Sequence, residues 1–127
     1  MSQAFANNAT ARGRSIPAPV QADFLVDTGA SVTVLDPALV AQLSLVPRAG
    51  ALATTVTAGT TIFVSQYDVS LSVQDVGGTR PDLVLGNLLV AEIALGTSHY
   101  KGLLGRSVLQ QCQLLYDGTS GTFRLDW

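Results

Sequence analysis

Residues 24–31, Phe24-Leu25-Val26-Asp27-Thr28-Gly29-Ala30-Ser31, carry the strongest signal in this chain. The apolar start of this stretch predicts a strand, which ends in the carboxylate of Asp27. Gly29 allows the backbone to turn sharply or to approach a ligand, so Asp27 is expected at the tip of a rigid element. The same residues also fit a simple turn, in which an Asp side chain accepts from the backbone two residues later. Both interpretations stay open at this point.

A second segment, Leu103-Leu104-Gly105-Arg106-Ser107-Val108-Leu109, lies towards the end of the chain. In this order, the two segments together resemble the retropepsin-like (retroviral) branch of the aspartic proteases. In that family the second segment runs beside the catalytic loop, and its Arg begins a short helix. The resemblance extends over roughly Val20 to Trp127. It implies an all-β fold, a closed and mostly antiparallel barrel with one or two short helices, assembled as a homodimer.

The resemblance also implies a role for individual residues. Asp27 would be the catalytic carboxylate, Thr28 would bond across the dimer to the opposite loop, and Gly29 would accept from the substrate backbone. Three further groups are implied: groove-lining Ala30, Ser31 and Leu103; a flap tip at Ala58, Gly59 and Thr60; and structural support from Gly105 and Arg106. Each has an ordinary alternative, such as a core position for Leu103, a plain hairpin turn at 58–60 or a solvated Arg106.

One position departs from the pattern of the retroviral members. Many of them carry a second Asp two residues after the Gly of the first motif, and the Arg of the second motif pairs with it. Ser31 occupies that position here, so the sequence does not define the partner of Arg106. The flap tip is also poor in aliphatic side chains, which leaves its grip on a substrate undefined.

The chain contains one Asp-Thr-Gly, and this constrains any acid–base mechanism. Hydrolysis by carboxylates needs two of them, one ionised to activate water and one protonated to polarise the carbonyl. Asp23 lies on the same face of the predicted strand, but four residues along a strand span about 13 Å, too far to share a proton. A two-fold homodimer would instead bring Asp27 and its symmetry mate together.

Three functional interpretations follow from these motifs. The first is an aspartic endopeptidase that needs no cofactor and cuts extended peptides with apolar residues around the cleavage site. The second keeps the fold as a non-catalytic dimerisation or peptide-binding module. The third is an unrelated small β-barrel binding domain in which Asp27-Thr28-Gly29 is only a turn. As the resemblance implies, the N-terminal arm and the strand ending in Trp127 are the expected dimer interface.

Composition excludes several other classes of protein. The chain has 127 residues, with Lys+Arg 7 against Asp+Glu 9 and a net charge of −2, so no basic stripe is available for nucleic acid. No apolar stretch reaches the ~18 residues of a membrane span, and no secretory signal is recognised, so a cytoplasmic protein is expected by default. The chain has one cysteine, Cys112, and one histidine, His99, which excludes an internal disulfide and a His/Cys metal cluster.

The remaining patterns outline the domain. We expect a flexible N-terminal arm over residues 1–19 and a single domain over residues 20–127. Asp36-Pro37 predicts the N-cap and first residue of a short helix, and a second helix is expected after Arg106. The run over 67–74 alternates with period two, whereas the runs over 83–90 and 93–95 are apolar enough to be buried on both faces. The predicted strands are 52–57, 61–64, 67–74, 83–90, 93–95, 114–116 and 122–125.

Overall fold

The computed structural model describes residues 17–48, 52–57, 59–96 and 99–127. These residues form two short helices, α1 (Pro37–Gln42) and α2 (Arg106–Leu109). The strands are β1 (Phe24–Val26), β2 (Thr33–Leu35), β3 (Leu52–Thr57), β4 (Thr60–Val73), β5 (Leu83–Glu92), β6 (Gly102–Leu104), β7 (Gln113–Asp117) and β8 (Thr122–Asp126). The prediction of a mostly β protein with one or two short helices is confirmed.

Six strands form one sheet in the order β1-β6-β2-β5-β4-β3, while β7 and β8 pair with each other. Strand β6 lies between β1, to which it is parallel, and β2, to which it is antiparallel. The β2–β5 pair is parallel, and the β3–β4, β4–β5 and β7–β8 pairs are antiparallel. Antiparallel pairing therefore predominates in the described residues, as the sequence predicts.

The predicted closure of the sheet into a barrel is not found in the described part of the chain. Strands β1 and β3 form the two edges of the six-stranded sheet and do not pair with each other, and β7–β8 is a separate ribbon. The insertion of β6 places β1 at an edge, which keeps it away from β3. Most of the arm predicted over residues 1–19 lies outside the described residues, so this boundary stays a prediction.

Strand β4 is a single strand of 14 residues where the sequence predicts two. The intervening Ser65 and Gln66 stay extended because they pair with Leu52 of β3 and Ala91 of β5. The predicted alternation holds in the second half, where Tyr67 and Val69 are buried while the residues between and after them are more exposed. One continuous strand therefore joins the β3–β4 hairpin to the main sheet.

Strand β5 corrects one expectation. It runs without a break from Leu83 to Glu92, and it is not buried on both faces along its length, since Val84 is 64% exposed whereas Val90 is fully buried. The reason is that β2 pairs only with the last three residues of β5, from Val90 to Glu92. The first half of β5 has only β4 beside it and keeps one face towards solvent.

Helix α1 begins as the sequence predicts. The Asp36 side chain accepts a hydrogen bond from the Ala38 N–H at 3.0 Å, and Pro37 is the first helical residue. The other carboxylate oxygen accepts from the Leu95 N–H at 2.9 Å. The hydrogen bonds from Leu95 and Ala38, in that order, hold the pKa of Asp36 below its usual range. Asp36 thereby joins α1 to the segment after β5.

Two apolar clusters lie on opposite faces of the sheet, because neighbouring residues of a strand point in opposite directions. Both helices cover the face of the larger cluster, whose buried members are Leu35, Leu39, Val40, Tyr67, Val69, Leu85, Leu88, Val90, Leu104 and Val108. The smaller cluster has the buried members Val34, Val64 and Ala91, with Leu103 and Ile62 packed against it. None of the helices in the described residues is long and apolar enough to cross a membrane.

Candidate active site

Asp27 lies where β1 ends and a turn begins. Its N–H donates to the Leu104 carbonyl at 3.1 Å, which extends the β1–β6 ladder by one residue beyond Val26. Its own carbonyl accepts from the Ala30 N–H at 3.3 Å and so closes the turn. The carboxylate is therefore carried by ordered main chain on both sides.

The Asp27 side chain makes a hydrogen bond within its own loop. Oδ1 accepts from the Gly29 N–H at 2.9 Å, which is the bond that a simple turn predicts. This bond leaves both interpretations of the motif open. Gly29 does not have the positive φ found at Gly59, and a Cβ added to Gly29 would lie 3.1 Å from Asp27 Oδ1. The glycine therefore provides room beside the carboxylate rather than an unusual turn.

The second motif holds the Asp27 loop through residues 104–107, which we call the cradle. Besides the bond to Leu104, the Arg106 N–H donates to the Ala30 carbonyl at 2.9 Å. The Arg106 guanidinium donates from Nη1 to the Thr28 carbonyl at 2.8 Å. The sequence did not define the partner of the Arg106 side chain. In the structure this partner is the main-chain carbonyl of Thr28, which takes the place of the Asp that many retroviral members carry at the position of Ser31.

Gly105 is required by the close approach of the cradle to the loop. A Cβ at this position would lie 2.3 Å from the Val32 carbonyl oxygen and 3.0 Å from that of Ala30. Backbone atoms cannot give way as a flexible side chain can, so a larger residue would push the cradle away from the loop. Gly105 is itself buried, in agreement with this close approach.

The family model described as aspartyl protease matches residues 9–108, more than three quarters of the chain. The chain belongs to the aspartyl protease family. This family lies in the retropepsin-like clan, as the resemblance of the two motifs indicates. The matched range contains the Asp27 loop and the cradle, whereas β7 and β8 lie beyond it. None of the curated proteins compared with the chain matches it.

Leu103 and Leu25 lie beside the Asp27 loop of this aspartyl protease family member. Their Cα atoms are register partners, and Leu103 is partly buried against the smaller cluster. Leu25 alternates with Phe24 and Val26, which pack on the larger cluster, so it points to the other face and is 46% exposed. Leu25 was not predicted as a site residue, although its period-two spacing from Asp27 places it on the carboxylate's face.

Thr33 and Ser107 form a second contact that the two motifs did not predict. Thr33 is 0% exposed, and its Oγ1 accepts from the Gly105 N–H at 3.1 Å. Its N–H donates to Ser107 Oγ at 3.0 Å, and the two hydroxyl oxygens lie 3.1 Å apart. A polar residue within the apolar run from Val32 to Leu35 is the signal that could have identified Thr33, because buried hydroxyls need partners.

The hairpin between the two family motifs is present as predicted. Thr57 and Thr60 are its last paired residues, and Gly59 has a φ of 78°. Ala58 lies outside the described residues, so the predicted tip is described at Gly59 and along the main chain of Thr60. Whether this hairpin acts as a flap in this family member stays a prediction.

A cavity of about 300 Å³ lies away from Asp27. It is lined by Val20, Gln21, Ala22, Asp23, Ala38, Leu39, Gln42, His99 and Lys101. The lining residues from the two strand regions precede β1 and β6, whereas Asp27 and Gly105 follow these strands. Within the described ranges, no three His, Cys, Asp or Glu side chains gather in a way that could hold a metal ion. The family's characteristic loop therefore remains the candidate active site.

Proposed function

We propose that the chain is an aspartic endopeptidase whose active site forms when two copies bring their Asp27 side chains together. The observation that carries this proposal is the attachment of the Asp27 loop to the cradle at Asp27, Thr28 and Ala30. A plain turn needs only its own internal bonds. Support from a distant segment holds a carboxylate in a fixed place, as acid–base chemistry requires.

A second copy supplies what one chain lacks. Water activation and carbonyl polarisation need two carboxylates in different protonation states. In the described residues, Asp27 Oδ2 accepts no hydrogen bond, and the neighbouring Asp23 side chain lies four residues earlier on the strand. A two-fold axis beside the loop would place two Asp27 side chains within reach of one shared proton.

The chemistry then follows from the shared proton. The ionised carboxylate takes a proton from a water molecule, whose oxygen bonds to the carbonyl carbon of the scissile peptide. The protonated carboxyl group donates to the carbonyl oxygen, giving a neutral tetrahedral intermediate. The carboxyl group that gained the proton then donates it to the leaving nitrogen, while the other carboxylate takes a proton from a hydroxyl of the intermediate. The C–N bond breaks, a carboxylic acid and an amine leave, and the pair again holds one proton. The Thr28 side chain is exposed and is proposed to bond across the dimer axis.

The β7–β8 ribbon is the proposed dimer surface. A two-stranded hairpin is at best marginally stable by itself in water. Tyr116 and Phe123 are register partners on one face of the ribbon and are 70% and 58% exposed, and Leu115, on the other face, is 60% exposed. An exposed apolar patch of this kind is typical of a protein–protein interface. A second copy that pairs with the ribbon would cover these side chains.

Arg80 fixes the end of this ribbon to the rest of the domain. Its Nη1 donates to Asp126 Oδ1 at 3.0 Å, and its Nη2 donates to the Leu125 carbonyl at 3.3 Å. Its guanidinium lies 4.2 Å from the centre of the Trp127 ring, whose Nε1 donates to the Pro81 carbonyl at 3.0 Å. These contacts give the ribbon a fixed orientation, which a dimer interface needs.

The proposed substrates are extended peptides with apolar residues around the cleaved bond. Leu25 and Leu103 offer apolar surface on the Asp27 face, and no helix of the described residues covers the smaller cluster on that face. The β3–β4 hairpin is proposed to close over the peptide as a flap with its tip at 58–60. Closure would exclude water from the bond that is cut.

A non-catalytic dimerisation or peptide-binding module is the second candidate. Two observations favour it: the Gly29–Asp27 bond satisfies a plain turn, and Ser31 removes the acid that retroviral members place beside their Arg. Such a module would keep the ribbon and the groove but would not cut peptides. Activity measurements therefore separate the two candidates directly.

The experiment compares wild type with Asp27→Asn and Asp23→Asn on a pool of denatured proteins from pH 3 to 8. Asp23→Asn is the matched control, since it alters a carboxylate on the same face at the other end of β1. We expect wild type and Asp23→Asn to cut and Asp27→Asn to lose activity by at least ~10³-fold. A dimer that never cuts supports the binding module, and a monomer at high concentration overturns the shared active site.

A further inference from the structure

The loop that carries Asp27 is attached to one continuous segment at its start, middle and end. Asp27 bonds to Leu104 and Ala30 bonds to Arg106, both through main-chain atoms. At the end of the loop, Thr33 bonds to Gly105 and Ser107. The last attachment differs from the others because it depends on two side-chain hydroxyls.

The proton arrangement in this hydroxyl pair follows from burial. Thr33 Oγ1 accepts from Gly105, and Ser107 Oγ accepts from the Thr33 N–H. Each hydroxyl has one proton, and only one of the two protons can lie between the oxygens. Thr33 is fully buried whereas Ser107 is partly exposed, and no buried side-chain oxygen or nitrogen in the described residues lacks a partner. Burial favours Thr33 as the donor to Ser107, because Ser107 can direct its own proton towards solvent.

We propose that Thr33 and Ser107 are positioning residues for Asp27: their hydroxyl pair fixes the cradle against β2 and so sets the place of the carboxylate in the dimer. This inference rests on the proposed function. Neither hydroxyl takes part in the reaction. The pair acts through Gly105, whose N–H it binds and whose backbone touches that of Val32.

Two-fold symmetry makes the active site sensitive to this attachment. A shift of the loop in one copy is repeated in the other, so the separation of the two carboxylates changes by up to twice the shift. A misplacement of about 1 Å can cost ~10²-fold in rate, because the reacting groups lose their alignment. The apolar surface at Leu25 and Leu103 lies on strands that are paired with each other, and Leu103 is also paired with Val34, so substrate binding is expected to change less than turnover.

The test uses Thr33→Val, which keeps the shape and removes the hydroxyl, and Thr33→Ser, which keeps the hydroxyl. We expect Thr33→Val to lower kcat by ~10–100-fold with KM within ~3-fold, and Thr33→Ser to stay within ~3-fold of wild type. The acid and alkaline limbs of the pH–rate profile should move closer together in Thr33→Val, since carboxylates further apart interact more weakly. Ser107→Ala is the milder variant if Thr33→Val does not fold.

Val69→Ala is the control for a purely structural effect, because Val69 is buried in the larger cluster and bonds to no residue of the cradle. The two variants are compared under conditions in which they have lost equal thermal stability. If Val69→Ala then lowers kcat as much as Thr33→Val does, the positioning role is wrong. Unchanged kcat and an unchanged pH–rate profile in Thr33→Val would overturn it as well.

Amide hydrogen exchange separates this inference from the proposed function. We expect the Asp27 and Ala30 amides to exchange at least ~10-fold faster in Thr33→Val than in Val69→Ala, whether or not the protein cuts peptides. If wild type is inactive but the two variants show this difference in exchange, the proposed protease function is refuted and the positioning role stands. Equal exchange in the two variants refutes the positioning role even in an active enzyme.

Discussion

The Arg106 guanidinium donates a hydrogen bond to the main-chain carbonyl of Thr28, with 2.8 Å between Nη1 and the oxygen. The two residues are 78 positions apart in the chain, so this bond fixes a turn from a distant segment. A carbonyl acceptor also means that the Arg keeps its place without a carboxylate partner. The absence of an acid at position 31 is thus compatible with an ordered Asp27 loop.

Replacement of Arg106 should affect turnover more than folding. Arg106→Ala removes the bond to Thr28, and we expect kcat/KM to fall by ~10-fold or more, because the loop loses one of its attachments. Arg106→Lys keeps one donor that can reach a carbonyl, so it should retain more activity than Arg106→Ala. Kinetics on a peptide substrate, with melting temperatures of the same samples, check this order. Equal activity in all three proteins would contradict it.

Gly105→Ala should destabilise the fold strongly. The added Cβ would meet the Val32 carbonyl at 2.3 Å, and we expect a loss of ~2–4 kcal/mol in the free energy of unfolding. Gly77→Ala is the matched control, since its nearest neighbour would be 3.7 Å away, and it should change stability by less than ~0.5 kcal/mol. Urea denaturation measures both. Similar stability of the two variants would show that the cradle can move away at little cost.

Mixed dimers test whether each active site needs two Asp27 side chains. Wild type and Asp27→Asn mixed in equal amounts, with time to exchange subunits, should retain about one quarter of the activity that the same total amount of wild type has. The reason is that random pairing makes one dimer in four fully wild type. An activity of one half would mean that each Asp27 works independently, as in a monomer, and three quarters would mean that one Asp27 per dimer is sufficient.

Tyr67 should control part of the alkaline stability. Burial, and then its hydrogen bond to Glu92, raise the pKa of Tyr67 from 10.0 to about 12. Between these two values the unfolded chain releases a proton that the folded chain keeps, so the free energy of unfolding falls as the pH rises through this range. Tyr67→Phe should flatten this decline when unfolding is measured from pH 9 to 12. The same slope in both proteins would contradict the assignment to Tyr67.

Arg80→Gln should weaken dimerisation. The variant loses the bonds to Asp126 and Leu125 that orient the ribbon, and we expect the dimer dissociation constant to rise by ~10-fold. Arg48→Gln is the control, because Arg48 forms an exposed ion pair with Asp68 at 3.8 Å, of a kind that contributes little. Sedimentation equilibrium at several concentrations measures both. If the dissociation constant rises equally in both variants, the loss of a positive charge explains the effect and the orientation of the ribbon does not.

The sequence predicted the local elements because their causes are local. The Asp36-Pro37 start of α1 follows from capping chemistry, and the strands predicted over 114–116 and 122–125 lie within β7 and β8. The merging of two predicted strands into β4 could not be predicted, because the extended backbone at Ser65 and Gln66 depends on partners in β3 and β5.

The candidate site was also predictable only in part. The position of Asp27 and its proximity to the second motif followed from the two segments and the family they resemble. The partner of Arg106 could not be predicted, because a main-chain carbonyl leaves no trace in the sequence. The hydroxyl pair of Thr33 and Ser107 could not be predicted either, because single Ser and Thr residues are common. Contacts between distant segments are decided by tertiary packing.

The place of β6 between β1 and β2 has a consequence for the order of folding. Strands β1 and β2 are made early during synthesis, yet each of them pairs with β6 (residues 102–104), which is made much later. Closure of so long a loop precedes any gain from these pairings, which favours slow folding. A nascent chain that has not yet released these residues holds Phe24–Val26 without the strand beside it. The segment that bears the carboxylate is therefore expected to be among the last to become ordered, so that under the proposed function a half-made chain would not yet cut peptides.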